Sequence, residues 1–236
     1  MIEIKDLNKK FGKTEVLKNI SLTIESGKVT AIVGPNGSGK TTLIKSVLGL
    51  VKQTAGEILV DGESTNGNFN YRNKIGYMPQ TAKYPDNLTA NELLSLVKDL
   101  RANDDIHSKK IIEPLNIKGE LEKPFKNLSG GTKQKVSVLI SFAFNPQIYF
   151  LDEPTAGLDP ISSSYFKDLV AIEKENKKTI VLTSHIMGEI QELADEIVFL
   201  LEGEIKFKGT INSLLDHKKE TKLERAIAEL MSGEKL

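Results

Sequence analysis

The segment GPNGSGKT at residues 34–41 fits the pattern G-x-x-x-x-G-K-[ST]. It follows the apolar run VTAIVG at 29–34, which is typical of a strand buried on both faces of a sheet. A helix is predicted directly after it, over about 40–50. Glycines at such a junction let backbone amides approach phosphate oxygens closely, so the segment predicts a phosphate-binding loop.

Two side chains of this segment carry further chemistry. Lys40 would reach the β- and γ-phosphates of a nucleotide, and the Thr41 hydroxyl would bind Mg²⁺. The alternative is a plain glycine-rich turn before a helix. The motif and its position between a buried strand and a helix together favour the phosphate loop.

A second signal is the segment IYFLDEP at 148–154. Its apolar residues predict a buried strand, and Asp152 and Glu153 stand at the carboxyl end, where ligands of open α/β sheets gather. Asp152 can hold Mg²⁺, in our interpretation through water, and Glu153 could take a proton from an attacking water. The alternative is an acidic turn that caps a strand, but the phosphate loop favours the paired catalytic interpretation.

Three further side chains are candidates that the local sequence leaves open. His185 follows the strand-like TIVLTS at 179–184 and could hydrogen-bond the γ-phosphate and the catalytic water, or be structural or solvated. Gln80 follows the strand-like KIGYMP at 74–79, and its amide could bind Mg²⁺ or the attacking water, or sense the nucleotide. Phe11 could stack on adenine or be an ordinary packing residue.

The rest of the chain alternates strand-like and helix-like segments, which predicts a largely parallel sheet. Strand patterns occur at 2–4, 20–24, 56–62 and 147–154, and near 196–201 and 203–209; helices are predicted at 162–176 and 186–193. The region 85–145 differs, because LTANELLSLVKDLR has helical leucine spacing and a capping box in Thr89 and Glu92. We interpret 85–145 as a mostly helical lobe inserted into an α/β core.

The composition excludes cysteine chemistry and limits which partners can be inferred for the chain. Thirty-two basic residues balance thirty-two acidic ones among 236, so charge gives no general argument for a nucleic-acid partner or an anionic membrane surface. The absence of cysteine excludes disulfides, thiolate metal sites and cysteine nucleophiles. No apolar run approaches the ~18 residues of a membrane span, and the start lacks the apolar core of a signal peptide. A cytoplasmic chain is expected, with any membrane role exercised through a partner.

The segment LSGGTKQK at 128–135 resembles a second anion-binding helix start. Ser129 is the predicted cap of a helix whose apolar face comprises Val136, Leu139, Ile140 and Ala143, and which ends at Asn145 and Pro146. The charged tail at 211–236 includes a predicted short helix with Leu223, Ala226, Ile227 and Leu230 on one face.

Taken together, these motifs resemble the ATP-binding cassette (ABC) ATPase family over about residues 1–210. GPNGSGKT is similar to Walker A, IYFLDEP to Walker B, LSGGTKQK to the signature, Gln80 to the Q-loop, TSH at 183–185 to the H-loop, AGLDP at 156–160 to the D-loop, and Phe11 to the stacking aromatic. The resemblance implies an α/β, RecA-like P-loop NTPase core with a mostly parallel sheet, an N-terminal antiparallel β subdomain and an inserted helical subdomain. It further implies that the chain is one ATPase domain over 1–236. The core of this domain would lie at 1–84 and 146–210, the helical signature subdomain at 85–145 and a helical tail at 211–236.

The resemblance also implies an Mg²⁺-dependent ATPase that powers a separate membrane permease, with no nucleic-acid partner, placed peripherally on the inner face of the membrane. Cassettes would pair head to tail, as a homodimer or with a second cassette, each ATP lying between one Walker A loop and the other subunit's signature helix. The implied catalytic residues are Glu153, His185 and Gln80; the implied Mg²⁺ ligands are Thr41, Gln80 and Asp152; and the implied nucleotide contacts are Phe11, Gly34, Pro35, Asn36, Gly37, Ser38, Gly39, Lys40, Thr41, Thr42, Ser129, Gly130, Gly131 and Asp159.

The chain departs from the family pattern at Thr132, where glutamine is more common. We expect the change to be tolerated, because Ser129, Gly130 and the backbone would do most of the γ-phosphate binding. The segment LDEPTAGLDP and the tail resemble cassettes that serve ABC-2-type permeases, many of them exporters, and within these the ATPase of the copper and nitrous-oxide-reductase maturation system.

Two other classes are weighed against a transporter subunit. A soluble ABC ATPase acting on ribosomes or DNA is the alternative, but such proteins carry two cassettes or long coiled coils, which this sequence lacks. A P-loop GTPase or kinase is disfavoured because there is no N-K-x-D motif and because LSGG and LDEP occur together.

Overall fold

The computed structural model describes residues 1–101 and 107–232. The chain forms two compact units: unit 1 comprises Met1–Arg72 and Thr179–Leu236, and unit 2 comprises Asn73–Lys178. In chain order the described strands are β1 (Ile2–Phe11), β2 (Thr14–Ile24), β3 (Val29–Val33), β4 (Ala55–Val60), β5 (Glu63–Ser64), β6 (Ile75–Met78), β7 (Ile148–Asp152), β8 (Thr179–Thr183), β9 (Glu196–Leu201) and β10 (Glu204–Gly209). The described α-helices are α1 (Lys40–Val47), α2 (Ala90–Arg101), α3 (Ser108–Ile112), α4 (Gly130–Phe142), α5 (Pro160–Glu175), α6 (Met187–Leu193), α7 (Ile211–Lys218) and α8 (Leu223–Ser232).

Unit 1 contains an antiparallel sheet in the order β2-β1-β4-β5. The strands β1 and β2 are longer than the short alternating runs predict. They form a hairpin in which Phe11 pairs with Thr14, and the turn is closed by Gly12 in the left-handed conformation at φ 57°. Pairing therefore carries the strands well beyond their apolar segments.

The second group of strands in unit 1 has the order β10-β9-β3-β8. The strand β3 pairs in parallel with both β8 and β9, and β10 is antiparallel to β9. Every residue of β3 and β8 is buried, as expected for apolar runs covered on both faces. The loop after β3 leads directly into α1, which ends at Val47 and not near 50 because Gly49 adopts a left-handed conformation at φ 66°.

The C-terminal part of unit 1 contains two helices. In α8 the predicted apolar residues Leu223, Ala226 and Ile227 are buried, whereas Leu230 is half-buried. The helix α7 was not singled out in the sequence; its cap is Thr210, whose hydroxyl accepts a hydrogen bond from Ser213 N at 3.1 Å. The last part of the predicted tail, 233–236, lies outside the described residues.

Unit 2 places a helical region around the parallel pair β6 and β7. The capping box of α2 is present: Thr89 N donates to Glu92 Oε2 at 2.8 Å and Glu92 N donates to Thr89 Oγ1 at 3.2 Å. The segment 103–127, which is part of the lobe predicted at 85–145, contains α3 and short 3₁₀ turns at Lys118–Glu120 and Phe125–Asn127. Residues 103–106 of that segment are outside the described part of the chain.

The helix α4 packs its apolar side into unit 2. Val136, Leu139 and Ala143 are fully buried, and Ile140 is half-buried. Phe142 at its end stacks on Tyr149 of β7, with ring centroids 4.5 Å apart. Such aromatic packing stabilises the helix against the strand that carries the acidic pair.

Other predicted boundaries also shift by one or two residues, and two of these elements have a clear physical reason. The strand predicted at 74–79 is Ile75–Met78, since Pro79 has no N–H to donate. The helix predicted at 162–176 begins at Pro160, because Asp159 caps it by accepting from Ser162 N at 2.9 Å. Across the described residues, the helices all fall short of the length and apolar character that crossing a bilayer requires.

Candidate active site

The predicted phosphate loop lies in unit 1 between β3 and α1. Lys40 Nζ donates to the carbonyl oxygens of Gly34 at 2.8 Å and Pro35 at 3.1 Å, and its side chain is buried. Ser38 and Gly39 are also buried, Pro35, Thr41 and Thr42 are half-buried, and Asn36 and Gly37 are exposed at the tip. The loop therefore curls around the ammonium group and presents its tip outward.

Close packing explains two of the loop glycines. A Cβ on Gly34 would lie 2.0 Å from Leu200 O, and a Cβ on Gly39 would lie 2.8 Å from Leu17 Cδ2. Gly39 is also the N-cap of α1, with φ 110° and no side chain to cap the helix amides. The start of α1 presents backbone amides and the positive end of the helix dipole, which suit the phosphates of ATP. Because Gly39 has no side chain, none occupies the place of a phosphate at these amides.

Unit 1 also holds His185 and Phe11. His185 is exposed just after β8, in a turn where Ser184 Oγ accepts from Ile186 N at 3.0 Å and donates to Glu189 Oε2 at 2.9 Å. Phe11 ends β1 with 50% of its surface exposed, and Lys9 Nζ lies 4.5 Å from its ring centroid. Its ring is thus accessible to a planar ligand.

In unit 2 the structure joins two predicted catalytic residues. Gln80 Nε2 donates to Glu153 Oε2 at 3.0 Å. The pairing of β6 with β7, in which Met78 is opposite Leu151, brings the carboxyl ends of both strands together. Glu153 has a left-handed backbone at φ 50°, which is uncommon for a residue with a Cβ. The shape of the turn thereby directs its side chain.

Asp152, the last residue of β7, is only 1% exposed. Burial, and secondarily the charge of Asp152, raise the pKa of Tyr77 to about 12. The Tyr77 hydroxyl is therefore a weaker acid than that of a free tyrosine, because burial and the charge of Asp152 both oppose its ionisation.

The signature segment begins α4 as predicted, with Ser129 as its N-cap. Ser129 Oγ accepts from Thr132 N at 3.2 Å and lies 2.8 Å from Thr132 Oγ1. Ser129 and Gly130 are exposed, whereas Gly131 packs closely, since a Cβ there would lie 3.0 Å from Gly157 O. The pairing of the Thr132 and Ser129 hydroxyls is a feature that the sequence did not predict.

Two side chains of α4 tie it to the segment 153–159. Gln134 is buried and donates from Nε2 to Pro154 O at 3.1 Å. Lys135 Nζ lies 2.7 Å from Asp159 Oδ2, and this contact, followed by the hydrogen bonds from Ser162, lowers the pKa of Asp159 below its usual range. Asp159, predicted to contact the nucleotide, therefore has its described contacts within its own unit.

Each unit thus brings together its own set of predicted residues: the phosphate loop in unit 1, and Gln80, Glu153 and the signature segment in unit 2. The contacts of Gln134 and Lys135 were missed in the sequence, and Thr132 was noted there as a departure from the family pattern but not as a partner of Ser129. The local sequence gives no signal for the partners of Gln134 and Lys135, because Pro154 and Asp159 are distant along the chain.

Comparisons with known proteins now identify the class. A family model described as ABC transporter matches residues 17–156. The lantibiotic transport ATP-binding protein SrtF of Streptococcus pyogenes is 34% identical over 205 residues, which are 87% of this chain and 89% of that protein. The bacitracin transport ATP-binding protein BcrA of Enterococcus faecalis is 32% identical over 225 residues, 94% of this chain and 72% of that protein.

Solved structures agree. An ATP-binding subunit of an ABC transporter has a TM-score of 0.92 at 27% identity, covering 98% of this chain and 99% of that one. The bacterial ABC transporter cassette MJ0796, described as dimeric, has a TM-score of 0.79 at 28% identity, covering 89% and 98%. It is also known in a post-hydrolysis state bound to ADP and Pi.

The chain belongs to the ABC transporter family, and the predicted P-loop NTPase fold is confirmed. It is an ATP-binding and ATP-hydrolysing transport subunit.

Proposed function

We propose that this chain hydrolyses ATP by general-base catalysis from Glu153 and, through ATP-driven closure of a head-to-tail dimer, powers a separate membrane permease. The observation that carries the catalytic assignment is the 3.0 Å hydrogen bond from Gln80 Nε2 to Glu153 Oε2. It joins two predicted catalytic side chains that are far apart in sequence. The amide donor fixes the direction of the carboxylate, as a base must be fixed before it can accept a proton productively.

In the proposed reaction, a water attacks the γ-phosphorus while Glu153 accepts its proton. A new bond forms from the water oxygen to phosphorus, the bond to the β–γ bridging oxygen breaks, and ADP leaves. Lys40 and the amides at the start of α1 bind the phosphates, and His185 donates a hydrogen bond to the γ-phosphate. Phe11 stacks on the adenine ring.

The proposed Mg²⁺ ligands are the Thr41 hydroxyl, the Gln80 amide oxygen and, through water, the Asp152 carboxylate. These are hard oxygen donors, the type that Mg²⁺ prefers, and the burial of Asp152 suits a carboxylate that faces a cation. When bound, the ion would neutralise phosphate charge.

The proposed dimer follows from the presence of two helix starts suited to anions, α1 in unit 1 and α4 in unit 2. The exposed Ser129 and Gly130 would complete the nucleotide site of a second cassette, either another copy or a paired protein. The dimeric state of the related cassette MJ0796 supports this arrangement.

The proposed permease partner follows from the transport role of the relatives, since a transporter needs a membrane path and the helices of the described residues do not provide one. The chain would then be peripheral on the inner face of the membrane, with the helical region 85–145 as its signature subdomain. A copper and nitrous-oxide-reductase maturation cargo has no support from SrtF and BcrA, whose names refer to lantibiotic and bacitracin transport. The proposal therefore includes no cargo.

The test of the base is Glu153→Gln. We expect ATP binding to persist, turnover to fall by roughly a hundredfold or more, and an ATP-bound dimer to accumulate in size-exclusion chromatography. Glu192→Gln is the matched control, because Glu192 is exposed on α6 and has no proposed catalytic role. Normal turnover in Glu153→Gln would rule out the base.

Mixing inactive subunits tests the head-to-tail arrangement. Lys40→Ala and Ser129→Arg are each expected to abolish turnover. If the signature acts across the dimer, one nucleotide site of the mixed dimer carries both defects and the other carries neither. Partial recovery of ATPase activity is therefore expected, and no recovery despite demonstrated mixed dimers would contradict the arrangement.

Capture from solubilised membranes tests the partner. A tagged chain carrying Glu153→Gln is expected to retain a multi-span membrane protein whose presence changes the ATPase rate of the unsubstituted chain. Retention of ribosomes or DNA in its place would favour the alternative, a soluble non-transport ABC ATPase.

A further inference from the structure

Thr132, the residue at which this chain departs from the family pattern, makes two contacts with Ser129. Thr132 is the third residue of α4, and its side-chain oxygen lies 2.8 Å from the oxygen of Ser129. Its backbone N–H also donates to Ser129 Oγ at 3.2 Å. A single threonine therefore contacts the signature serine through both its backbone and its side chain.

Hydrogen-bond capacity restricts how this pair is arranged. A serine hydroxyl has one hydrogen to donate and two lone pairs that accept. One lone pair of Ser129 is taken by Thr132 N–H. If the Thr132 hydroxyl donates as well, both lone pairs are used, and the Ser129 hydrogen remains for an acceptor outside the helix. If Ser129 donates to Thr132, its only hydrogen is consumed.

A phosphate oxygen decides between these two arrangements, because an ionised phosphate oxygen only accepts hydrogen bonds. A Ser129 that serves a phosphate must donate to it, and Thr132 must then be the donor within the pair. Accepting two hydrogen bonds also polarises the Ser129 hydroxyl and makes it a stronger donor.

The surroundings hold Thr132 in place. Gly131 packs against Gly157 O, and the buried Gln134 is bonded to Pro154 O, so the first turn of α4 is fixed on both sides of Thr132. The side chain of threonine is itself stiff, because branching at Cβ restricts χ1. A short, branched hydroxyl at this site can therefore set the direction of a neighbouring hydroxyl.

We propose that Thr132 is a positioning residue that donates a hydrogen bond to Ser129 Oγ and so aims the Ser129 hydrogen at the γ-phosphate of ATP bound to the facing cassette. This inference rests on the proposed function, since it requires the signature to act across a dimer. It assigns a role to the side chain at which this chain leaves the family pattern.

The test compares Thr132→Val with Thr132→Ser in the Glu153→Gln background, with dimer formation measured by analytical ultracentrifugation as a function of ATP concentration. Valine keeps the shape and the backbone N–H but removes the hydroxyl, whereas serine keeps the hydroxyl. We expect Thr132→Val to raise the ATP concentration at half-maximal dimer formation by roughly three- to tenfold, and Thr132→Ser to restore it.

Two further measurements separate positioning from simple stability. The melting temperature is expected to stay within a few degrees for both variants, because threonine and valine have similar helix propensities. ATP affinity of the monomer, measured below the dimerisation range, is expected to be unchanged. In a Ser129→Ala background, Thr132→Val is expected to have no additional effect, since Thr132 acts through that serine.

The failures of the two ideas are distinguishable. If Ser129→Ala impairs dimer formation but Thr132→Val does not, the role of Thr132 is overturned and the proposed function stands. An effect of Thr132→Val that persists unchanged in the Ser129→Ala background also overturns it. If Ser129→Ala itself has no effect, the proposed signature contact across the dimer fails, and the positioning role fails with it.

Discussion

Lys135 and Asp159 form an ion pair in which Nζ lies 2.7 Å from Oδ2, linking the second turn of α4 to the cap of α5. Asp159 ends the segment that begins at Glu153, so the pair connects the signature helix to the segment that carries the proposed base. The side chains are 16% and 45% exposed, and water screens an ion pair of this kind, so it contributes little to stability. We therefore expect the pair to matter more for orientation than for folding.

A double-mutant cycle measures that orientation effect. Lys135→Met removes the charge and keeps the stem, and Asp159→Asn keeps a capping side chain at the start of α5. We expect each single change to lower ATP turnover by roughly three- to tenfold, and the double change to be no worse than either, because both remove one interaction. The measurements are steady-state ATPase activity and melting temperature. Lys135→Arg is the control that should retain activity, and simple additivity of the two defects would contradict the coupling.

Acid sensitivity provides a separate check on Asp159. Its pKa is lowered first by Lys135 and then by the hydrogen bonds from Ser162. A carboxyl group whose pKa is lower in the folded chain stabilises that chain above its unfolded pKa of about 4, and loses this contribution as the pH falls through the folded pKa. The difference in unfolding free energy between the natural chain and Asp159→Asn should therefore be largest near neutral pH and shrink below about pH 4. Urea titrations between pH 7 and 3 measure it; a difference that widens on acidification would be inconsistent with the ion pair.

The hydrogen bond between Gln80 and Glu153 predicts a catalytic defect without a folding defect. Gln80→Met keeps the length of the side chain but removes the amide, and with it both the donor to Glu153 and the oxygen that is proposed to bind Mg²⁺. We expect the turnover number to fall by roughly ten- to a hundredfold, the range for losing a hydrogen bond to a charged group. Gln147→Met, on an exposed side chain of the same unit, serves as the control. Equal activities in the two variants would show that the bond has no catalytic role.

The loop glycines should differ in their tolerance of alanine. A Cβ at Gly34 would overlap Leu200 O at 2.0 Å, whereas a Cβ at Gly37 meets nothing within 4 Å and is opposed only by φ 80°. Gly34→Ala should therefore unfold the chain or prevent its expression, while Gly37→Ala should cost about 1–2 kcal/mol. Gly119 does not have a positive φ, and a Cβ there would have no atom within 4 Å, so Gly119→Ala should leave the melting temperature unchanged. Melting temperatures in any other order would contradict the packing of this loop.

Local patterns predicted the parts of the fold that depend on adjacent residues. The strand, loop and helix at 29–47 and the capping box of α2 are determined by residues within a few positions of one another. Contacts between distant segments could not be predicted from local patterns. The hydrogen bond from Gln80 to Glu153, for example, depends on the register of β6 against β7. The helix α7 was missed because it is short, spanning Ile211–Lys218, and buries Leu214 alone, so it gives a weak apolar pattern after its cap at Thr210.

The left-handed backbone of Glu153 creates a trade-off between stability and activity at this residue. Such a conformation costs a residue with a Cβ about 1–2 kcal/mol, and glycine avoids the cost. Laboratory selection for heat resistance alone should therefore favour Glu153→Gly, which stabilises the turn and removes the carboxylate. Selection that also demands ATP turnover should retain glutamate at this position. The two selections should therefore give different residues at 153 on the same left-handed backbone.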